Sequence, residues 1–153
     1  MAWSIPSRAV HPPNGTQWSS HGQGLHFRVK AVAIAPNSDV IAGGFFYFAG
    51  PVTANHIARW DGDQWHAFGD GLQYDINAIV VMPAGDVVAA GSFFLTNPAG
   101  QQLNNIARWD GTAWRPLGTG LNSTANALAI MPNGDLVAAG RFEIAGGAPD
   151  TVH

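Results

Sequence analysis

The chain has 153 residues, with 7 Lys and Arg against 10 Asp and Glu, a formal net charge of −3 and only 11% charged residues. That leaves no basic stripe for nucleic acid, and the lack of any cysteine excludes disulfides, thiolate chemistry and cysteine metal sites. With 19 glycines, 10 prolines, 6 tryptophans and 8 phenylalanines, the composition fits short strands and tight turns rather than surface helices.

Residues 1–9 carry no periodicity and read as an irregular N-terminal arm. Met1-Ala-Trp-Ser-Ile-Pro-Ser-Arg8 lacks the basic start and apolar run of a secretory leader. No stretch approaches the roughly 18 apolar residues of a membrane helix. From Val10 to Trp18 runs a degraded copy of a stretch that recurs in full as His56-Ile-Ala-Arg-Trp-Asp-Gly62, closed by Trp65, and as Asn105-Ile-Ala-Arg-Trp-Asp-Gly111, closed by Trp114. Trp60 and Trp109 are 49 residues apart, as are Trp65 and Trp114, and Trp18 precedes Trp65 by 47. A period of that length marks a repeat architecture, with repeats near 10–56, 57–105 and 106–153.

Within each repeat the elements come in a fixed order. Asp61-Gly62 and Asp110-Gly111 are hairpin turns, joining an Ile-Ala-Arg-Trp strand to a strand that carries the second tryptophan. In the first copy Pro12 and Pro13 replace Arg and Trp, so a strand there is broken or at an edge. A Gly-x-Gly-Leu element follows (Gly22 to Leu25, Gly69 to Leu72, Gly118 to Leu121) and reads as the link from one sheet to the next. Next come inner strands over residues 30–35, 77–82 and 126–131, apolar on both faces and expected to be buried on both. Turns beginning at Pro36, Pro83 and Pro132 lead into return strands ending at Gly44, Gly91 and Gly140. The connection to the next hairpin is two residues longer in the second repeat, which predicts an exposed loop over 96–103.

Four short antiparallel strands per period of about 48 residues predict an all-β fold of β-propeller blades. Trp60, Trp65, Trp109, Trp114, Gly44, Gly91 and Gly140 keep their places, and on these marks the chain resembles kelch-like propeller repeats. It is more closely similar to the Asn-Ile-Ala-Arg-Trp-Asp-Gly repeats of bacterial secreted or surface proteins. The chain departs from the common kelch pattern in spacing, and Ala90 and Ala139 stand where Gly43 does. The resemblance implies a binding scaffold outside the cell, and the oxidase chemistry of some kelch relatives has no ligand counterparts here.

Counting strands gives three blades per chain, the third split between the termini: an outer hairpin over residues 10–20 and an inner pair over 126–142. Three blades do not close a ring, since propellers have about four to eight. The reading is a homodimer closing one six-bladed ring by a domain swap, with a trimer of nine blades less favoured. Val10, Trp18, Ala127, Ala129 and Phe142 are the expected assembly residues. A piece of a longer propeller, recent duplication or deliberate design are other sources of such near-identical repeats.

Chemistry is sparse. Tryptophans paired across a hairpin are first of all sheet contacts, and Arg59 and Arg108 beside them can stack on an indole or reach a turn aspartate. Lys30 breaks the repeat where Asn77 and Asn126 stand, and is expected at a channel mouth. Lys30, Arg59, Trp60, Arg108 and Trp109 are therefore the candidate ligand residues of an alternative, lectin-like reading with one carbohydrate site per repeat. Turn aspartates cap their own backbone, the six histidines are scattered, and Glu143 is the lone glutamate. No catalytic constellation, metal site, cofactor, nucleic-acid partner or membrane partner is expected. The chain is read as a non-enzymatic scaffold or binding module.

Overall fold

The structure is a computed structural model in which residues 24–146 are described; Val10, Trp18, the expected hairpin over 10–20 and the C-terminal residues 147–153 lie outside them. The described residues form strands and turns only. A first unit is a four-stranded antiparallel sheet in the order β1 (Arg28–Ile34), β2 (Val40–Phe45), β5 (Ile57–Trp60), β6 (Trp65–Ala67), with a small hairpin β3 (Phe48–Ala49)–β4 (Val52–Thr53) between β2 and β5. The second unit repeats it with β7 (Ile76–Val81), β8 (Val87–Thr96), β9 (Gln102–Trp109) and β10 (Trp114–Pro116). The third is the pair β11 (Ala125–Ile130)–β12 (Leu136–Gly140). The inner strands stack in series, β1 on β7 and β7 on β11, so three blade-like units form an open row.

The glycine that ends each return strand is required by a bulge opposite it. Pairing slips between Val29 and Ala31, between Ile76 and Ala78, and between Ala125 and Ala127. The bulged residues are thus Lys30, Asn77 and Asn126, the positions that open the inner strands. The bulge pushes a carbonyl against the facing α-carbon. A β-carbon on Gly91 would lie 1.9 Å from the Asp75 oxygen, and one on Gly44 or Gly140 would meet Arg28 or Thr124 oxygen at 2.1 and 2.2 Å.

The hairpin reading holds: Trp60 pairs with Trp65 and Trp109 with Trp114, their rings 5.3 and 5.5 Å apart at 60°. Asp61 and Asp110 accept backbone N–H bonds from the residues two and three positions on, at 2.8–2.9 Å, which closes each turn. The Gly-x-Gly-Leu links run between units as expected. Gly69, Gly71, Gly118 and Gly120 all have positive φ, and buried Leu72 and Leu121 donate their N–H groups to Asn55 and Asn104 oxygens.

Two expectations change. The segment 96–103 is not a loop: the extra residues extend β8 and β9 into one long hairpin, with Phe94 opposite Asn104 and Thr96 opposite Gln102. Only 97–101 turns, around buried Asn97, whose side chain binds Gln101 and the Trp114 oxygen. The Leu95–Leu103 pair and the Asn97 bonds that close the turn favour continuing the strands over a slack loop. Burial of the inner strands on both faces holds for β7 alone. In β1, exposed and half-buried residues alternate, and much of β11 is exposed.

Candidate functional site: two bare faces and an inter-unit cleft

The exposed residues of β1 and β11 are the two ends of the row. Cross-strand partners share a face, so Val32, Ile34, Val40, Ala42, Trp60 and Trp65 line one side of the first unit. The outer half of that side is covered, Trp60 and Trp65 packing with Leu25, Phe46, Ala49 and Ala54. The inner half is bare, with Val32 53% and Ile34 62% exposed. Their counterparts one repeat on, Ile79 and Val81, pack instead with Ile41, Ile57, Ala31 and Ala33 of the first unit, and Ile79 is only 7% exposed.

The opposite end mirrors this. Val88, Ala90, Ile106, Val80 and Met82 of the second unit pack on Leu121, Ala125, Leu128, Leu136, Ala138 and Phe142. The third unit presents the same kind of surface outward, through exposed Ala127, Ala129 and Ala139 together with Met131 (49%) and Val137 (37%). Of the expected assembly residues, Ala127 and Ala129 therefore lie on this bare face. Phe142 lies instead in the seam between the second and third units.

A row of polar contacts crosses the inner strands at the bulges. Lys30 Nζ donates to Asp75 Oδ2 (2.6 Å) and Asn77 Oδ1 (3.1 Å) of the second unit. Asn77 Nδ2 donates to the Ala125 oxygen of the third at 2.9 Å. Asn126, the next member, is exposed.

Between the turns of the first two units opens a cleft of about 680 Å³, lined among others by Asp39, Arg59, Phe68, Asp86, Trp109 and Asp110. Arg59 Nη1 donates to buried Asp39 at 2.7 Å, and Arg108 pairs with Asp86 at 3.3 Å. Each arginine thus meets the aspartate of the turn before its partner strand, not that of its own hairpin. Trp109 stands edge-on to Phe68. Of the candidate ligand residues, the cleft brings together Arg59 and Trp109. Trp60 is 5% exposed and Lys30 lies at the bulges. The hairpin aspartates are taken by residues the sequence reading passed over. His66 meets Asp61 at 2.5 Å and Arg115 meets Asp110 at 2.8 Å. The signal was their spacing, since 66 and 115 are 49 apart. The Asp61 carboxyl is held well below the usual range by the Gln64 N–H, His66 and the Asp63 N–H. Asp110 is held there by Arg115 and the N–H groups of Ala113 and Thr112.

His56 is buried, in the left-handed region at φ 76, where the second unit has buried Asn105 at φ 59. Its Nδ1 contacts the Gly44 carbonyl at 3.1 Å, and a carbonyl only accepts, so Nδ1 carries the hydrogen. Exposed Phe45 and Tyr47 pack on the ring, and Phe27 packs on Phe45. Burial lowers the His56 pKa below its ordinary 6.5. The unfolded chain therefore takes up this proton first, and the stability held by the neutral ring is present above about pH 6.5 and lost as the pH falls below it. Asn105 bonds both the Phe93 N–H and the Leu121 oxygen without titrating. His56→Asn is expected to shrink the fall in melting temperature between pH 7 and 5. Melting curves of both proteins across that range check it, and parallel curves would contradict it.

Among the described residues no three His, Asp or Glu side chains gather in a way that could hold a metal ion. No known family model matches the chain, and no curated protein matches its sequence.

Proposed function

We propose that the chain is a self-assembling β-propeller scaffold, two copies joining through their bare unit faces into one closed ring. The observation that carries this is the exposure of Val32 and Ile34, at positions where the second unit packs buried Ile79 and half-buried Val81 against a preceding unit. Bare apolar faces drive association, and a face built like an internal seam fits a copy of its own partner. Three units from each chain give six, inside the range of about four to eight in which such rings close. Ring closure by a second chain satisfies both ends at once, as symmetric assemblies do. Small-angle scattering tests the shape: the expected profile is that of a compact six-unit ring, and a profile fitted by one open row of three units overturns the proposal.

The cleft favours a second role on the same scaffold, binding a neutral sugar. Its one arginine, Arg59, is paired with Asp39, the other lining aspartates Asp86 and Asp110 are paired with arginines outside the lining, and Trp109 offers a ring for stacking. Arg59 with Trp109 is the one arginine–tryptophan pairing between successive copies, since Pro12 and Pro13 hold those places in the first. A crystal soaked in simple hexoses is expected to show density beside Trp109. An empty cleft at saturating sugar removes this role and leaves the assembly untouched.

A further inference from the structure

The internal seams show which side chains meet, and the repeat carries that pattern to the open ends. A β-carbon on Gly43 would lie 2.7 Å from Ile76 Cγ2, 3.1 Å from Ile76 Cβ and 2.6 Å from Ile79 Cδ1. Position 43 of one unit is thus seated between positions 76 and 79 of the next. One repeat later the same seat holds Ala90, with Ala125 and Leu128 in the same cluster. The residues trade bulk across the seam: no side chain faces two isoleucines, then one methyl group faces a small and a large neighbour. Packing at interior density demands this kind of compensation.

Resting on the assembly reading above, we infer that Ala139 of one copy seats between Val29 and Val32 of the other, and that Asn126 donates to the partner's Val29 carbonyl. Ala139 is the counterpart of Gly43 and Ala90, opposite Ala127 on the bare face. Val29 and Val32 are the counterparts of Ile76 and Ile79, and of Ala125 and Leu128. One methyl group against two valines lies between the two internal seams in total bulk. The polar row agrees with this register. Asn77 reaches the oxygen of Ala125, and Val29 holds the place of Ala125 in the first unit. The recognition is head to tail: the third unit of each copy meets the first unit of the other.

Cysteine placement tests this in the full chain, which has none of its own. At the internal counterpart, a β-carbon on Gly43 would lie 3.1 Å from Ile76 Cβ, close to the 3.5–4.5 Å that a disulfide spans. Mild oxidation of an equimolar mixture of Ala139→Cys and Val29→Cys is expected to give a cross-linked dimer, and neither variant alone should cross-link efficiently. Dimers by mass that cross-link only 139 to 139, or not at all, overturn this seam and leave assembly standing. Monomers by mass for the unmodified chain overturn both. Asn126→Ala gives a second readout, with a dissociation constant raised about tenfold per seam, the loss of one hydrogen bond, and an unchanged chain fold. An unchanged constant removes the Asn126 contact.

Discussion

Gly91→Ala is expected to destabilise the chain by more than about 3 kcal/mol, enough to unfold a marginal domain. The added methyl group would lie 1.9 Å from the Asp75 oxygen. That oxygen cannot step aside, because it accepts the Ser92 N–H at 3.1 Å and belongs to the bulge that turns Asn77 toward the third unit. Gly44→Ala meets Arg28 oxygen in the same way. The comparison with Gly43 sharpens the point. A methyl group there would have side-chain atoms of Ile76 and Ile79 as its nearest contacts, at 2.6–3.1 Å. Those side chains can shift, so Gly43→Ala should cost about 1–3 kcal/mol, the usual range for overpacking. Denaturant midpoints of the three variants check the order. A Gly91→Ala protein as stable as Gly43→Ala would contradict the bulge account.

Ile34→Asp is expected to dissociate the assembly while leaving the chain folded. Ile34 is 62% exposed in the single chain, so a carboxylate there remains solvated. In the ring it would be buried against the partner's third unit, and an unpaired buried charge costs about 3–5 kcal/mol. With two seams per ring, the dissociation constant should rise by more than about a thousandfold. Val137→Asp, on the other bare face, should do the same. Circular dichroism would show unchanged strands while the sedimentation profile moves to the single chain. Equal association of wild type and both variants would show that these faces do not form the contact.

Much of the fold is legible in the sequence because its determinants are local. Asp-Gly turns, paired tryptophans, Gly-x-Gly-Leu links and terminal glycines mark each strand end, and a period of 47 to 49 aligns them. The bulge is less legible, since it leaves only a polar residue, Lys30, Asn77 or Asn126, at the head of an apolar run. What could not be read was the choice of partner within each unit. Arg59 takes Asp39 rather than the adjacent Asp61, and His66 does for Asp61 what Arg115 does for Asp110. Residue spacing marks equivalent positions, but which neighbour a long side chain reaches depends on strand order in the sheet, which sets β5 beside β2 and its turn. The long hairpin through Asn97 was hidden for a related reason. Polar turn residues such as Thr96 and Gln102 pair as strand when the flanking ladder already fixes their register. The cleft that brings Arg59 to Trp109 lies between repeats, where no single motif points.

The central claim is that the two bare faces meet in a second copy. Sedimentation equilibrium of the unmodified chain over a range of concentrations tests it most directly. The expected mass is twice the 16.1 kDa of one chain, constant down to the dissociation limit. A mass of one chain at every concentration, with Val32, Ile34, Met131 and Val137 still open to solvent, would contradict it.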